Sequence, residues 1–350
     1  MKKALSLFLD LFCAAALLIS IWGLNYLLPQ QGVKAQTAAL SPQSASSTRQ
    51  QQLQDMADQA ANDAGLASTK VTLDTQEWKK KSADQFTDQV ISTDTSYTSP
   101  DLAIHITKRS AATNRIDRSS NGLHERYGAN YAYVLADIYV SDITCLQTCF
   151  AQNIYGIGYT ESLKDMSARL RSILAINGDS YSNSRHENNG TIIRNGIIYR
   201  DRPTDMETCV LNWDGTMKIY QPGEMDTQTL IDTGAYQSWI FGPGLLDEQG
   251  KARTSFLTWD YIRQSHPRTA IGYYEPGHYC LLVVDGRQAD TRGMFLDEMA
   301  ALFEQLGCKA AYNLDGGHCS FMTYKDQIIN DPYRRDHQIS DGLFVMEEPL

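Results

Sequence analysis

Histidine and positive charge are both scarce in this sequence of 350 residues. The seven histidines include no HxH or HxxxH pair, and a metal-dependent phosphodiesterase usually draws several ligands from histidine. A site of that kind is therefore disfavoured. Lysine and arginine number 31 against 41 aspartates and glutamates, which gives a net charge of −10. This balance argues against a nucleic-acid partner, which would require a basic face. An anionic ligand must then be held by a few well-placed arginines.

The sequence also lacks a zinc-binding pattern. It contains seven cysteines, but no His/Cys pair near Cys145 and Cys149 completes a set of four ligands. Cys13 lies in the N-terminal apolar run, and the other six are expected as buried thiols or disulfides whose pairing the sequence does not select. No cofactor is predicted to be required. Oxygen ligands from a cluster of aspartates leave Ca²⁺ or Mg²⁺ binding open.

The N-terminus carries a long apolar run. Residues 11–28 contain no charge over 18 positions and follow Lys2 and Lys3. This arrangement predicts a transmembrane signal anchor at residues 1–28, with the remainder exported and held at the cell membrane. A cleaved signal peptide, with a cleavage site at residues 33–35, is the alternative and would give a secreted protein.

The rest of the chain is predicted to contain a polar stalk or linker at residues 29–100 and a catalytic domain at residues 101–350. A short helix over 50–64 is expected within the stalk, ending at Gly65. In the domain, apolar alternation and helical spacing predict strands over 102–109 and 131–142 and helices over 163–175 and 295–308. The turns Asn195-Gly196 and Asp214-Gly215 predict two hairpins. We therefore expect a single α+β domain with a mixed sheet and a few packed helices.

Four predicted strands end, or begin, at polar clusters with chemical potential. The clusters are Asn177-Gly178-Asp179, Arg268, Asp285-Gly286-Arg287 and Asp315-Gly316-Gly317. Side chains at strand ends are held by the sheet yet reach solvent. Arginines there can bind phosphate oxygens, glycine amides can form an anion nest, and carboxylates can supply a general acid and a base or nucleophile. Because a lone Asp-Gly is usually only a turn, the combination carries the prediction of an anion-binding α+β enzyme.

Five blocks in order resemble the phosphodiester glycosidase family over roughly residues 100–348. They are INGDSYSNSRHENNGTIIRNGIIYR, FGPGLLDEQGK, HPRTAIGYYEPGHYCLLVVDGR, MFLDEMAALFEQLGCKAAYNLDGG and RRDHQISDGLFV. The family includes the animal uncovering enzyme, which removes N-acetylglucosamine from the phosphate of lysosomal mannose glycans, and bacterial members often labelled as exopolysaccharide-biosynthesis proteins. The resemblance implies hydrolysis of a sugar-1-phosphodiester in the cell envelope or exopolysaccharide, releasing free sugar and a phosphomonoester. The substrate would be a sugar-phosphate polymer or glycoside.

The resemblance also implies roles for individual residues. Asp315 is the first choice for a catalytic carboxylate, Asp179 the second, and Asp285 is either catalytic or orients an arginine. Phosphate and substrate binding falls to the remaining members of the clusters, which are Asn177, Gly178, Arg194, Arg268, Arg287, Gly316, Gly317, His318 and Ser320.

Two neighbouring positions depart from the family pattern. The family usually follows its LDGG with a small residue and two hydroxyl side chains, whereas here the run continues His318-Cys319-Ser320. A thiol donates a weaker hydrogen bond than a hydroxyl, so the change bears on substrate preference. It also supports the alternative of a non-catalytic envelope-polymer binding or assembly protein that keeps the phosphate cradle. The retained aspartates favour the enzyme, because binding alone does not need them.

Overall fold

The structure is a computed structural model that describes residues 12–20, 32–35, 46–73, 76–113, 115, 130–183, 186 and 188–347. The strands are β1 Val33–Lys34, β2 Ala67–Ser68, β3 Ile91–Ser92, β4 Ser96–Thr98, β5 Leu102–Ala111, β6 Tyr131–Val140, β7 Leu146–Phe150, β8 Ile154–Tyr155, β9 Leu174–Asn177, β10 Ile192–Arg194, β11 Ile197–Arg200, β12 Thr208–Asn212, β13 Met217–Tyr220, β14 Ala235–Trp239, β15 Arg268–Glu275, β16 His278–Asp285, β17 Ala310–Leu314, β18 Met322–Tyr324, β19 Gln327–Ile328 and β20 Asp341–Val345. The labelled helices are α1 Ser46–Asp63, α2 Gln76–Lys81, α3 Leu163–Leu170, α4 Thr227–Thr233, α5 Asp260–Arg263 and α6 Leu296–Leu306.

Two larger sheets organise these strands. One has seven strands in the order β17-β15-β16-β6-β5-β4-β3, and the other has five in the order β19-β18-β9-β20-β7. Two three-stranded sheets, β10-β11-β2 and β13-β12-β14, and the pair β1-β8 complete the set. The predicted α+β class is confirmed. The predicted mixed sheet is corrected, because every ladder between the described strands is antiparallel.

The core lies on both faces of the seven-stranded sheet. Alternate residues of β16 point to opposite faces: Leu281 and Val283 join the main core with β9 and β20, while Leu282 and Val284 pack with α6. Both faces of this strand are therefore buried, which explains its nearly continuous apolar sequence. A strand held on both faces is a rigid support for the polar groups at its end.

Residues 46–100 were predicted as a stalk, and the structure instead packs much of this region into the fold. In α1, Leu53 joins the main core and Ala61 packs near Phe150 and Tyr199. Trp78 is also buried in the main core, and β3 and β4 extend the seven-stranded sheet. The predicted helix itself is confirmed over Ser46–Asp63. The polar composition misled the linker prediction because alanines on one face of α1 supply the buried contacts.

The predicted anchor at residues 1–28 lies mostly outside the described residues, including Lys2 and Lys3. Residues 12–20 are helical, and the side chains there are exposed. Within the described ranges, no helix combines the length and the apolar character that a membrane crossing requires.

Local predictions in the domain mostly hold. The Asn195-Gly196 turn joins β10 to β11 with both residues at positive φ (51° and 81°), as a hairpin turn of this type requires. The predicted helix over 163–175 is shorter. It stops because Arg171 adopts the left-handed conformation and its N–H bonds back to the last turn, and Leu174 then begins β9. The shorter helix brings Asn177 to a strand end.

The cysteines of the described residues are all present as free thiols. Cys280 of β16 and Cys308, after α6, are both buried and have their Sγ atoms 3.8 Å apart. The sequence left the choice between buried thiols and disulfides open, and the structure has free thiols, of which five are buried.

Candidate active site

Three of the predicted clusters lie at neighbouring strand ends on one side of the seven-stranded sheet. Arg268, at the start of β15, lies opposite Val284, so it neighbours the end of β16 at Asp285. On its other side, Thr269 pairs with Leu314, and β17 therefore delivers Asp315 to the same edge. The antiparallel register thus brings together groups separated by up to 47 positions in the sequence, as the strand-end argument predicted.

Asn177 ties the fourth cluster to this edge. Its Nδ2 donates to the Asp315 carbonyl oxygen (2.7 Å), and its Oδ1 accepts from Thr269 Oγ1 (2.7 Å) and from the Phe321 amide (3.2 Å). The Asp315 amide in turn donates to the Gly178 carbonyl oxygen (3.2 Å). Asn177 is buried and its amide group is used within the protein. The placement favours a role in joining strand ends over the predicted contact with substrate.

An open cleft lies where these elements meet, and we call it the Asp315 cleft. Its volume is about 180 Å³, smaller than a typical small-molecule pocket. Two of the three predicted arginines, one predicted aspartate and two of the three predicted glycines lie in its wall, beside residues to which no role was assigned. The lining residues are Asn183, Phe241, Tyr261, Ile262, His266, Pro267, Arg268, Arg287, Asp315, Gly316 and Gly317.

Asp315 is the carboxylate among these lining residues. Its Oδ1 accepts from the Gly316 amide (2.9 Å), and the Cys319 thiol donates to the same carboxyl group. Burial, reinforced by the negative charges of Asp179 and Asp341, raises the pKa of Asp315 to about 7. Burial also raises the pKa of Cys319 well above its usual range, so the thiol remains a proton donor. A carboxyl group that titrates near neutrality is suited to proton transfer.

Asp179 lies behind the cleft wall, in contact with a second buried carboxylate. Its Oδ2 accepts from the Ile240 amide (2.6 Å), and its own amide donates to Asp341 Oδ1 (2.6 Å). Burial raises the pKa of Asp179, and Arg194 works against that rise. Asp179 is not among the residues lining the cleft, so its placement favours an electrostatic effect on Asp315 over direct contact with substrate.

Arg194 is also internal, which departs from its predicted role as a phosphate ligand. Its guanidinium forms a buried ion pair with Asp341 and donates to the carbonyl oxygens of Ile193 (2.9 Å) and Ser238. Burial raises the pKa of Asp341 to about 6, and Arg194 opposes this. The pair locks β20 against β10 beneath the cleft. Reasoning from the sequence missed Asp341; the signal was its Asp-Gly step at the start of the last apolar strand.

Gly178 makes room for Asp341. A Cβ at this position would lie 2.6 Å from Asp341 Oδ1, and the Gly178 amide donates to the Asp341 carbonyl oxygen (3.0 Å). The glycine therefore serves close packing of two strand ends, and its amide is not directed to a ligand as the sequence suggested.

Asp285 supports a neighbouring segment. Its Oδ1 accepts from Asn330 Nδ2 (2.9 Å) and from the Asp331 amide (3.0 Å), and burial raises its pKa to about 6. It does not line the Asp315 cleft. Of the two roles considered for Asp285, the geometry supports positioning, although the group it positions is the chain at 330–331 and not an arginine.

Arg268 lies in the cleft wall and holds the segment opposite. Its Nη2 donates to the carbonyl oxygens of Ile262 (2.6 Å) and Gln264 (2.5 Å), and its Nε donates to that of Met294 (3.1 Å). Its side chain is buried. The guanidinium therefore brings positive charge to the cleft in a fixed orientation.

Arg287 contacts His266 across the cleft wall. Its Nη2 lies 3.1 Å from His266 Nδ1, and His266 Nε2 lies 2.6 Å from the Tyr261 carbonyl oxygen. Because a guanidinium only donates and a carbonyl only accepts, these contacts require the neutral tautomer with the proton on Nε2. His266 therefore couples the orientation of Arg287 to residues 256–264. Sequence reasoning quoted His266 in a motif but assigned it no role.

The two glycines after Asp315 do not form the predicted anion nest. The Gly316 amide donates to Asp315 Oδ1 (2.9 Å), and the Gly317 amide donates to the Pro267 carbonyl oxygen (2.9 Å). Gly317 has a φ of +66°, and a Cβ there would lie 3.2 Å from Arg287 Nη1. The glycine therefore lets the Arg287 guanidinium lie against the main chain.

His318 and Ser320 occupy different settings. Burial, followed by the charge of Arg287, lowers the pKa of His318 to about 4, so the ring is neutral near pH 7. Its ring centroid lies 5.1 Å from that of Tyr333. Ser320 is fully buried and does not line the cleft, and its Oγ has no hydrogen-bond partner among the described residues. Neither residue lines the cleft, although His318 directly follows the lining residue Gly317.

An aromatic wall faces the arginines. Phe241 and Tyr261 line the cleft, and Trp259 stacks beside Tyr261 with ring centroids 6.1 Å apart. Aromatic faces commonly pack against the apolar faces of ligands. Sequence analysis missed this wall, although the run Trp259-Asp260-Tyr261 was an available signal.

Across the described part of the chain, no group of three His, Cys, Asp or Glu side chains is arranged to hold a metal ion. The chemistry of the cleft is that of guanidinium groups, one carboxylate and aromatic rings.

The sequence and the fold of this chain have relatives among known proteins. The profile of the phosphodiester glycosidase family matches residues 171–346, and the chain belongs to this family. The catalytic domain of zebrafish N-acetylglucosamine-1-phosphodiester alpha-N-acetylglucosaminidase, auto-inhibited by its pro-peptide, has a similar fold. The TM-score is 0.56 at 19% sequence identity, over 74% of this chain and 88% of that one.

A sequence relative comes from a bacterial prophage. The uncharacterized protein YomE, derived from the SPbeta prophage of Bacillus subtilis (strain 168), is 35% identical over 193 residues. The match covers 54% of this chain and 29% of YomE, so the chain spans less than a third of that relative.

Proposed function

We propose that this chain hydrolyses the glycosidic bond of a sugar-1-phosphodiester of the N-acetylglucosamine-1-phosphate type. The observation that carries the proposal is the Asp315 cleft, in which one carboxylate, two guanidinium groups and an aromatic wall line a single space. Family membership supports a hydrolase acting on phosphodiester glycosides.

Each wall of the cleft has a part in the proposed reaction. Arg268 and Arg287 hold the phosphodiester oxygens, and Phe241 and Tyr261 contact the sugar ring. Asp315, as the carboxylate, accepts a proton from a water molecule, whose oxygen forms a bond to the anomeric carbon. The bond from that carbon to the phosphate oxygen breaks, and its electron pair leaves with the phosphomonoester. Because the guanidinium groups stabilise this leaving group, protonation by an acid contributes little.

The proposed setting is the outer face of a cell membrane, within the cell envelope or exopolysaccharide, with residues 1–28 as the anchor. Its support is the uncharged apolar run behind Lys2 and Lys3. Fractionation of expressing cells, with protease added outside, tests it. Recovery in the membrane fraction with an externally cleavable domain is expected, and a protease-resistant cytosolic protein would contradict it.

The reaction is tested by incubating the full chain with methyl N-acetylglucosamine-1-phosphodiester in ¹⁸O-labelled water. Cleavage at the anomeric carbon places the label in the free sugar, whereas cleavage at phosphorus places it in the phosphate. We expect label in the sugar. Label confined to phosphate would overturn the proposed bond cleavage.

Three substitutions separate the cleft from its surroundings. Asp315→Asn removes the proposed proton-transfer group, and Arg268→Ala removes a proposed phosphate ligand. Each is expected to lower kcat/KM by about 10²-fold or more. Asp285→Asn is the matched control, because Asp285 lies outside the cleft and an amide oxygen can still accept its two hydrogen bonds. Full activity in Asp315→Asn would refute the site. Binding of the substrate without turnover in the wild type would favour the non-catalytic polymer-binding alternative.

A further inference from the structure

A group of basic and aromatic side chains continues from the Asp315 cleft, and we call it the basic cluster. His318 directly follows Gly317 of the cleft lining, and its ring centroid lies 5.1 Å from that of Tyr333 and 5.4 Å from that of His337. The Arg287 guanidinium, itself in the cleft wall, lies 5.6 Å from the Tyr333 ring centroid. The members of the basic cluster are Arg287, His318, Tyr333, Arg334 and His337.

One member of this cluster, Arg334, presents its charge to solvent. Burial, followed by the positive charges of Arg287 and Arg334, holds the pKa of His318 low. Among the carboxylates nearby, Asp331 is paired with Arg335 (2.9 Å), and Asp336 acts on His337. Within the described residues, Arg334 forms no ion pair, and it is exposed. The cluster therefore presents positive charge in a protein whose net charge is −10.

The position of Arg334 relative to the cleft indicates which ligand its charge can bind. One end of the cluster is Arg287, which lines the cleft, and the exposed Arg334 directly follows Tyr333, whose ring centroid lies 5.6 Å from the Arg287 guanidinium. An anion that touches Arg334 would therefore sit next to the scissile phosphodiester. His266 links Arg287 to Tyr261 of the aromatic wall. We therefore assign the sugar to the aromatic wall and the second anion to the side of Arg287 that carries Tyr333 and Arg334.

We propose that the basic cluster binds a second phosphate on the leaving-group side of the substrate. This inference rests on the proposed function and narrows its substrate class. The preferred substrate carries a phosphate next to the scissile diester, either as a diphosphate-linked sugar or as the next phosphate of a repeating sugar-phosphate chain. Sugar phosphodiesters with an uncharged leaving group are poorer substrates.

Three probes test the inference with the full chain. They are methyl N-acetylglucosamine-1-phosphodiester, the methyl ester of N-acetylglucosamine-1-diphosphate, and a two-repeat sugar-phosphate oligomer. Of the two probes with a second phosphate, the faster one is expected to have a kcat/KM about tenfold or more above that of the methyl phosphodiester, an ordinary effect of one added charge contact. Which of these two probes is faster shows whether the second phosphate belongs to a diphosphate or to the next repeat of a chain.

Arg334→Ala is the decisive variant, and Arg335→Ala is its matched control. Both remove one arginine from adjacent exposed positions, but Arg335 is already paired with Asp331. Arg334→Ala is expected to remove most of the preference while changing kcat/KM for the methyl phosphodiester less than about twofold, and Arg335→Ala should keep the preference. Equal losses on all probes in Arg334→Ala, or no preference in the wild type, would overturn the inference.

Binding of inorganic pyrophosphate, measured by calorimetry, separates this inference from the proposed function. Weaker pyrophosphate binding in Arg334→Ala than in Arg335→Ala supports the second anion site even if no probe is hydrolysed, a result that would remove the proposed function alone. Equal pyrophosphate binding in the two variants removes the second anion site.

Discussion

Asp315 and Asp285 illustrate how similar residues acquire different surroundings. Each ends, or directly follows, an apolar strand and precedes glycine. Asp315 enters the cleft and has a pKa near 7, while Asp285 accepts hydrogen bonds from Asn330 and Asp331. The sequence predicts that both lie at one sheet edge. It does not predict which faces the ligand, because that depends on the segment lying opposite.

The pH dependence of activity should follow Asp315. As the proposed base it must be ionised, and its pKa is raised to about 7, so kcat/KM is expected to increase as the pH rises through about 7. A pH profile between about 5 and 9, measured with a phosphodiester whose own charge is constant over that range, tests this. A profile that falls through neutrality would instead make Asp315 the general acid.

Several residues that were predicted to bind substrate are buried and make contacts within the protein instead. Asn177, Gly178 and Arg194 were predicted to touch substrate, yet their polar groups contact Asp315, Asp341 and main-chain carbonyls. The motif was correctly located in the sequence, but a motif does not separate residues that contact substrate from those that hold them. The hydrogen-bond partners of each residue in the structure show which of the two roles it has.

At the scale of elements, α1 is the clearest difference between expectation and structure. Its sequence is rich in glutamine and alanine and has little apolar content, which is typical of a linker. Alanine nevertheless packs closely against aromatic rings, and Ala61 is 2% exposed beside Phe150 and Tyr199. Glutamines add specific contacts: Gln54 Oε1 accepts from the Val71 amide (2.7 Å). Tertiary contacts, absent from local composition, decide the outcome.

A pair of neighbouring substitutions tests whether α1 belongs to the folded unit. Ala61→Glu places a carboxylate in a buried apolar contact and is expected to lower the free energy of unfolding by about 3 kcal/mol. Asn62→Glu, one residue further on the exposed side, is the control and should change it by less than about 0.5 kcal/mol. Urea unfolding of both variants provides the measurement. Equal free energies of unfolding for the two variants would contradict this placement and indicate that α1 is a linker.

For the whole molecule, buried carboxyl groups link stability to pH. Burial raises the pKa of Asp315 to about 7 and that of Asp285 and Asp341 to about 6, from an ordinary value of 3.8. Between these values the folded protein binds more protons than the unfolded chain. These carboxyl groups therefore lower the free energy of unfolding as pH rises from about 4 to about 7, and the lowered pKa of His318 offsets only part of this fall.

This linkage predicts that the protein is more stable at about pH 5.5 than at about pH 8. The difference should appear in urea unfolding at the two pH values. Asp285→Asn removes one of the titrating groups while retaining an acceptor for Asn330 and Asp331, so the pH difference should shrink in this variant. A wild-type stability that rises across the interval would contradict the raised pKa values.

The way residues 256–264 are attached has a practical consequence for redesign. Arg268 and His266 grip this segment through the main-chain oxygens of Tyr261, Ile262 and Gln264, and a main-chain oxygen is the same whatever side chain accompanies it. If the proposed function holds, randomising positions 259 and 261 would therefore vary which sugars are accepted while the anchoring bonds and Asp315 persist. Selectivity would then be adjustable separately from the proposed chemistry, which makes this short stretch the natural target for a directed-evolution library.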